Sequence, residues 1–114
     1  MSNRVEKVNS LLQRQISEYI IQEGLEGLTG LLTIKEVDTS PDLEQAKVYF
    51  SVVGQDYDQV LAILKKNIYH LQGALYKTLE MRKAPKIFFV PDTSGEYAGR
   101  ISKVLKDLHE NNEQ

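Results

Sequence analysis

Apolar residues in this chain recur at helical spacing, then at strand spacing, then at helical spacing again, and that succession limits the fold more than any single motif does. Val5, Val8, Leu11, Leu12, Ile16, Tyr19 and Ile20 follow steps of three and four, which predicts an amphipathic helix with one buried stripe. Asn3 with Glu6 forms a capping-box-like start, and Gly24 supplies the stop. Gly24, Gly27 and Gly30 punctuate a loop before Leu31 to Val37, whose strand composition and imperfect alternation predict a bulge. Ser40-Pro41-Asp42 reads as a turn. Beyond it Ala46, Val48, Phe50 and Val52 alternate with Lys47, Tyr49, Ser51 and Val53, the pattern of a half-buried strand antiparallel to the first.

Asp56 or Asp58 then sits at the positive end of a helical stretch carrying Val60, Leu61, Leu64, Ile68, Leu71, Leu75 and Leu79, predicted from about Tyr57 to about Met81. Gly73 lies inside that stretch and predicts two helices meeting there, because a mid-helix glycine is a common place for a kink. Ala84-Pro85 ends the helix. Ile87-Phe88-Phe89-Val90 lacks alternation and predicts a strand covered on both faces, inside the sheet. Thr93 with Glu96 starts a last helix carrying Tyr97, Ile101, Val104, Leu105 and Leu108. Residues 111–114 have nothing to bury and read as a frayed polar tail beyond a single α+β domain over 1–110.

The 114 residues suffice for one core that folds without staples. Cysteine is absent, which excludes disulfides, thiolate metal sites and cysteine nucleophiles and agrees with a reducing, cytoplasmic address. The amino end reaches charged residues at once, and no apolar run approaches the roughly 20 residues that span a bilayer, so neither export nor a membrane partner is expected. Net charge is only −2, but it is unevenly placed. From Lys65 to Lys86 the bases Lys65, Lys66, Lys77, Arg82, Lys83 and Lys86 meet only Glu80, a local excess of +5. From Glu36 to Asp58 the acids Glu36, Asp38, Asp42, Glu44, Asp56 and Asp58 meet only Lys47, a local excess of −5. A chain polarised in this way can offer one face to phosphates while the other is repelled.

The order helix, strand, strand, helix, helix, strand is that of a type II KH domain. With Val37-Asp38-Thr39-Ser40-Pro41-Asp42-Leu43 followed by Ala46-Lys47-Val48-Tyr49, with Gly73-Ala74-Leu75, and with Leu79-Glu80-Met81-Arg82-Lys83-Ala84-Pro85 followed by Ile87-Phe88-Phe89 and Asp92, the chain resembles the ribosome-binding factor A family. It covers nearly the whole chain. The family has an alanine-x-glycine kink between its helices; the matching place reads Leu71-Gln72-Gly73, keeping the glycine without the alanine. Where family members often carry arginine after the kink, Tyr76-Lys77 stands here. The resemblance implies a non-enzymatic assembly factor that binds 16S rRNA and the free 30S subunit alongside other assembly factors. It also implies a part in 16S 5′-end processing, in late subunit maturation and in growth in the cold.

The RNA-binding candidates are Lys65, Lys66, Lys77, Arg82, Lys83 and Lys86 around the kink, with Arg4 and Lys7 on the first helix, because ammonium and guanidinium groups grip phosphate oxygens. The competing reading of the lysines is a solvated helix face, and that of Arg4 and Lys7 is pairing with neighbouring acids. Tyr69 and Tyr76 read first as tyrosines half-buried at a helix junction and second as platforms for unpaired bases. Phe88 and Phe89 read as core. Gly24-Leu25-Glu26-Gly27 matches the glycine-x-x-glycine loop of KH domains by letter only; it precedes a strand, holds Glu26 where phosphate is repelled, and reads as a connection.

His70 and His109 share no ligand set, and Asp38, Asp42 and Glu44 lack the spacing of a calcium loop, so no metal or other cofactor is expected. No nucleophile elbow and no phosphate-binding loop is present. A monomeric binder is expected. The rival reading is a protein–protein adaptor that docks through its acidic middle region and last helix.

Overall fold

The computed structural model describes residues 2–79 and 84–93. Arg82, Lys83, the expected last helix and the 111–114 tail lie outside the described residues. The elements are α1 (Ser2–Glu23), β1 (Leu31–Thr39), β2 (Gln45–Val53), α2 (Tyr57–Lys66), α3 (Ile68–Thr78) and β3 (Lys86–Pro91). α1 starts at Ser2, one position before the Asn3 cap expected from sequence. It ends where Gly24 takes a left-handed φ of 57° and donates its N–H to the Ile20 carbonyl at 3.2 Å, as the glycine stop requires.

β1 and β2 pair antiparallel, and the expected bulge falls between Ile34 and Glu36. It has a clear effect. Before it Leu32 and Ile34 point to the helices, and after it Val37 and Thr39 do, so one extra residue keeps both halves of the strand on the core. The Gln13 side chain reaches the bulge and donates to the Ile34 carbonyl at 3.1 Å, while Asn9 Oδ1 accepts from the Thr39 N–H at 2.9 Å. Two side chains of α1 thereby fasten it along β1.

In the β1–β2 turn the Ser40 hydroxyl donates to Asp42 Oδ1 at 2.6 Å, and the same carboxylate oxygen accepts from the Glu44 N–H at 3.0 Å. The hydroxyl and that N–H hold the exposed Asp42 carboxyl below the usual carboxylate range. At the other end of the sheet the Gln55 amide grips the glycine loop. Its Oε1 accepts from Thr29 and Gly30 N–H at 2.9 and 3.0 Å, and its Nε2 donates to the Gly27 carbonyl at 2.8 Å. Gly30 is required there, because a Cβ would stand 2.7 Å from the Val53 carbonyl oxygen.

The sheet order is β1-β2-β3, with β3 parallel to β2. This corrects the expectation that Ile87 to Val90 lies inside the sheet: among the described residues β3 is an edge strand, and β2 is central. A parallel neighbour needs a crossover, which α2 and α3 supply. The unbroken apolar run has a different cause. Ile87 and Phe89 point to the helices, whereas Phe88 and Val90 belong to the opposite face, beside Lys47 and Tyr49 of β2.

The core lies between the sheet and the helix layer, where Leu12 and Ile16 of α1, Val48 and Phe50 of β2, Val60 and Leu64 of α2, and Leu71 and Leu75 of α3 are buried. Phe50 sits at its centre, against Tyr57 at 5.9 Å and edge-on to Phe89 at 6.4 Å between ring centroids.

Candidate nucleic-acid interface

The break between the second and third helices falls at Asn67, not at the Leu71-Gln72-Gly73 position expected from sequence. Asn67 leaves the helical region with φ −98° and ψ 2°, its N–H donating to both the Ile63 and Leu64 carbonyls at 3.2 Å. Its Nδ2 donates to Ile63 O at 2.8 Å, so the asparagine completes the end of α2 with its own amide.

Leu71, Gln72 and Gly73 all lie inside α3 and divide its faces. Leu71 is in the core. Gln72 faces the start of β3, where its Nε2 donates to the Pro85 carbonyl at 2.6 Å and its Oε1 accepts from the Ile87 N–H at 3.1 Å. Gly73 is exposed, and a Cβ built on it meets nothing within 4 Å. Its freedom therefore serves neither a turn nor a close packing contact among the described residues.

Tyr69, Gly73 and Tyr76 follow helical steps and share the outer face of α3. Tyr69 is 83% and Tyr76 53% exposed, which overturns the half-buried reading of both tyrosines. Two rings thus stand on either side of a strip of bare backbone. His70 packs edge-on against Tyr69 at 5.9 Å. Beside them a shallow hollow of ≈ 530 Å³ runs toward α1, with Tyr19, Glu23, His70, Gly73 and Lys77 among its lining residues. Burial lifts the Tyr19 phenol above its ordinary range, with Glu23 adding to the effect.

Lys65 and Lys66 occupy the last turn of α2, and Lys77 the last turn of α3. All three are exposed. Each is favoured there by the negative helix end, and their ammonium groups remain available to an anion. α3 separates Lys66 from Lys77 by roughly 16 Å at 1.5 Å per residue, so the lysines bracket the tyrosine face instead of forming one knot. Lys86 stands apart. It belongs to the face of the sheet turned away from the helices, with its ammonium 5.4 Å from the centroid of the Phe88 ring. Phe88, expected in the core, is 41% exposed there; Phe89 packs against the core.

Arg4 and Lys7 are exposed on the first turns of α1, the end of that helix tied through Asn9 to Thr39. The acids of the middle region fall in two groups. Glu36 and Asp38 lie along β1, Asp42 and Glu44 in the turn before β2, and Asp56 caps α2 beyond the far end of β2. β2 alone holds these two groups roughly 30 Å apart. Among the described residues no group of three or more His, Asp or Glu side chains could hold a metal ion, and no helix is long and apolar enough to cross a membrane.

Sequence reasoning assigned Gln72 to a kink and not to a clamp, and it did not single out Gln55; both glutamines hold this arrangement. A polar residue framed by apolar ones, as Gln72 is by Leu71 and Leu75 on successive turns, was the signal available for the second.

A family model described as ribosome-binding factor A matches residues 4–105. The chain belongs to the ribosome-binding factor A family. It is 34% identical over 109 residues to ribosome-binding factor A of Cupriavidus pinatubonensis, covering 96% of this chain and 89% of that protein. The crystal structure of ribosome-binding factor A from Thermus thermophilus superposes with a TM-score of 0.69 at 26% identity, covering 76% of this chain and 94% of that one. Thermus thermophilus ribosome binding factor A coordinates fitted into a cryo-EM map of a 30S–RbfA complex superpose with a TM-score of 0.58 at 25% identity, over 75% of this chain and 91% of that one. The family's KH-like α+β fold is the fold found here.

Proposed function

We propose that this chain binds the immature 30S ribosomal subunit through its 16S rRNA, assisting 5′-end processing and late maturation as a cytoplasmic, monomeric, stoichiometric binder and not as an enzyme. The observation that carries the reading is the outer face of α3, where Tyr69 and Tyr76 flank bare Gly73 and the exposed Lys65, Lys66 and Lys77 bracket them. Lysines there suit phosphates, and tyrosines with free faces suit splayed bases. Arg82 and Lys83 follow α3 in sequence and belong to the same hypothesis, as do Arg4 and Lys7. Lys86 joins it at most from the other side of the sheet. Family membership and the 30S complex of a relative support the choice of ligand.

The mechanism needs no turnover. The positive face holds an rRNA conformation present in the immature particle, and release follows when maturation removes that conformation. The test is co-sedimentation with mature and immature small subunits across a salt series. Binding that weakens with salt and favours immature particles is expected, and Lys66→Gln with Lys77→Gln should weaken it and flatten its salt slope by about one per lost phosphate contact. Unchanged binding by that pair, and by Arg82→Glu with Lys83→Glu, would remove this face from the interaction. For the adaptor reading the acids fall in two groups at opposite ends of β2, and its last helix lies outside the described residues.

A further inference from the structure

Lysines around α3 suit phosphates, but a carboxylate stands among them. Glu23, the last residue of α1, lines the hollow of ≈ 530 Å³ together with Tyr19, Tyr69, Gly73 and Lys77. Among the described residues Glu23 has no hydrogen-bond or ion-pair partner, so both its oxygens remain free to accept. A phosphate would be repelled there, whereas N–H donors would be held. From these residues, and resting on the RNA reading above, we infer that the hollow takes one unpaired guanine base of a single-stranded RNA segment, with Glu23 reading its Watson–Crick edge.

Two rows at four-residue steps border the hollow. On α3 they are Tyr69, Gly73 and Lys77: a ring 83% exposed, a stretch of bare backbone and an ammonium in the last turn. On α1 they are Tyr19 and Glu23, neighbours on one helix face. His70 stands at 84° to the Tyr69 ring and steadies it. A base stacked on Tyr69 can lie over Gly73 without meeting a side chain, with a neighbouring phosphate left to Lys77. The volume suits one small ligand group and is far too small for a duplex.

Guanine is the base whose edge matches. It presents the O6 acceptor and then N1–H and N2–H, two adjacent donors for the two oxygens of one carboxylate. The Tyr19 hydroxyl, held protonated because burial and Glu23 raise its pKa, supplies the donor for O6. Adenine and cytosine offer one donor beside a bare ring nitrogen, and uracil one donor between two carbonyls. Each would set a lone pair against Glu23.

The experiment measures binding of the full chain to hexauridylate and to the same RNA with guanosine, adenosine or cytidine at one central position. The guanosine RNA should bind about tenfold more tightly than the others. Glu23→Gln should erase most of that preference and keep the salt dependence, and inosine, which lacks the 2-amino group, should lose much of it in the unaltered chain. Equal affinity for the four RNAs, or a preference that survives Glu23→Gln, would overturn the inference and leave the RNA reading standing, because the lysines would still bind every sequence alike. Guanosine monophosphate should bind much more weakly than the hexamer; equal affinity would make a free nucleotide the ligand and overturn the assignment to RNA. No binding of any hexamer at low salt would overturn it too, and co-sedimentation with Lys66→Gln and Lys77→Gln then judges the wider reading by itself.

Discussion

The inward and outward faces of α3 are a few ångströms apart and answer to different constraints. Inward, Leu71 and Leu75 are buried and Gln72 holds the start of β3 by two hydrogen bonds. Outward, Tyr69, Gly73, Tyr76 and Lys77 are exposed, and the glycine has open space above it. Packing accounts for the first set and leaves the second unexplained, so the second is where a ligand is to be sought. The difference can be broken by substitution. Leu75→Ala should cost about 2–5 kcal/mol, seen as a lower denaturant midpoint, because truncation in a filled core leaves a cavity. A cost below about 1 kcal/mol would mean that the inward face is loosely packed.

Gln72→Ala should cost about 1–3 kcal/mol in the same measurement, since it leaves the Ile87 N–H and the Pro85 carbonyl without their partner. Protection of the Ile87 amide from hydrogen exchange should fall more than that of Val48 in the central strand. Equal losses would mean that the glutamine is not what pins β3.

Gly73→Ala separates stability from binding in one substitution. The new methyl group meets no neighbour, so helix propensity alone should raise stability by about 1 kcal/mol. If rRNA approaches the backbone between the two tyrosines, subunit binding should weaken at the same time. Higher stability with unchanged binding would move the contact elsewhere. Smallest in stability, Tyr69→Ala with Tyr76→Ala should change the unfolding free energy by within about 0.5 kcal/mol per site. Subunit affinity should nonetheless fall, by about 1–3 kcal/mol for each stacked base.

The inward face was largely legible in the sequence, since Leu71 and Leu75 continue the helical spacing of Leu64 in α2 and their burial follows from it. The same regularity hid the break. Ile68 continues the stripe through Asn67, so the glycine drew the expectation although the asparagine, able to cap a helix with its own amide, stands where the chain turns. The first hairpin was legible to its bulge, because β1 alternates on either side of one misplaced residue. β3 was misread because an apolar run reads alike whether it is covered on both faces or has one face left open. Exposure of Tyr69 and Tyr76 depends on what the rest of the chain places over α3, which no local pattern records. The partners of Gln55 and Gln72 were not legible for the same reason, since each clamp joins segments distant in sequence, although the place of Gln72 between Leu71 and Leu75 marked it as a polar residue near the core.

The parallel pairing of β3 with β2 also sets an order of events during synthesis. The hairpin of β1 and β2 is complete once Val53 has emerged, but the far edge of β2 waits for Lys86 to Pro91. At about 5–20 residues per second that interval lasts a few seconds, during which a row of backbone donors and acceptors from Gln45 to Phe50 has no strand beside it. A nascent chain of this protein is therefore most exposed to mispairing just before its crossover helices close, and slow translation between Gly54 and Pro85 would lengthen that window.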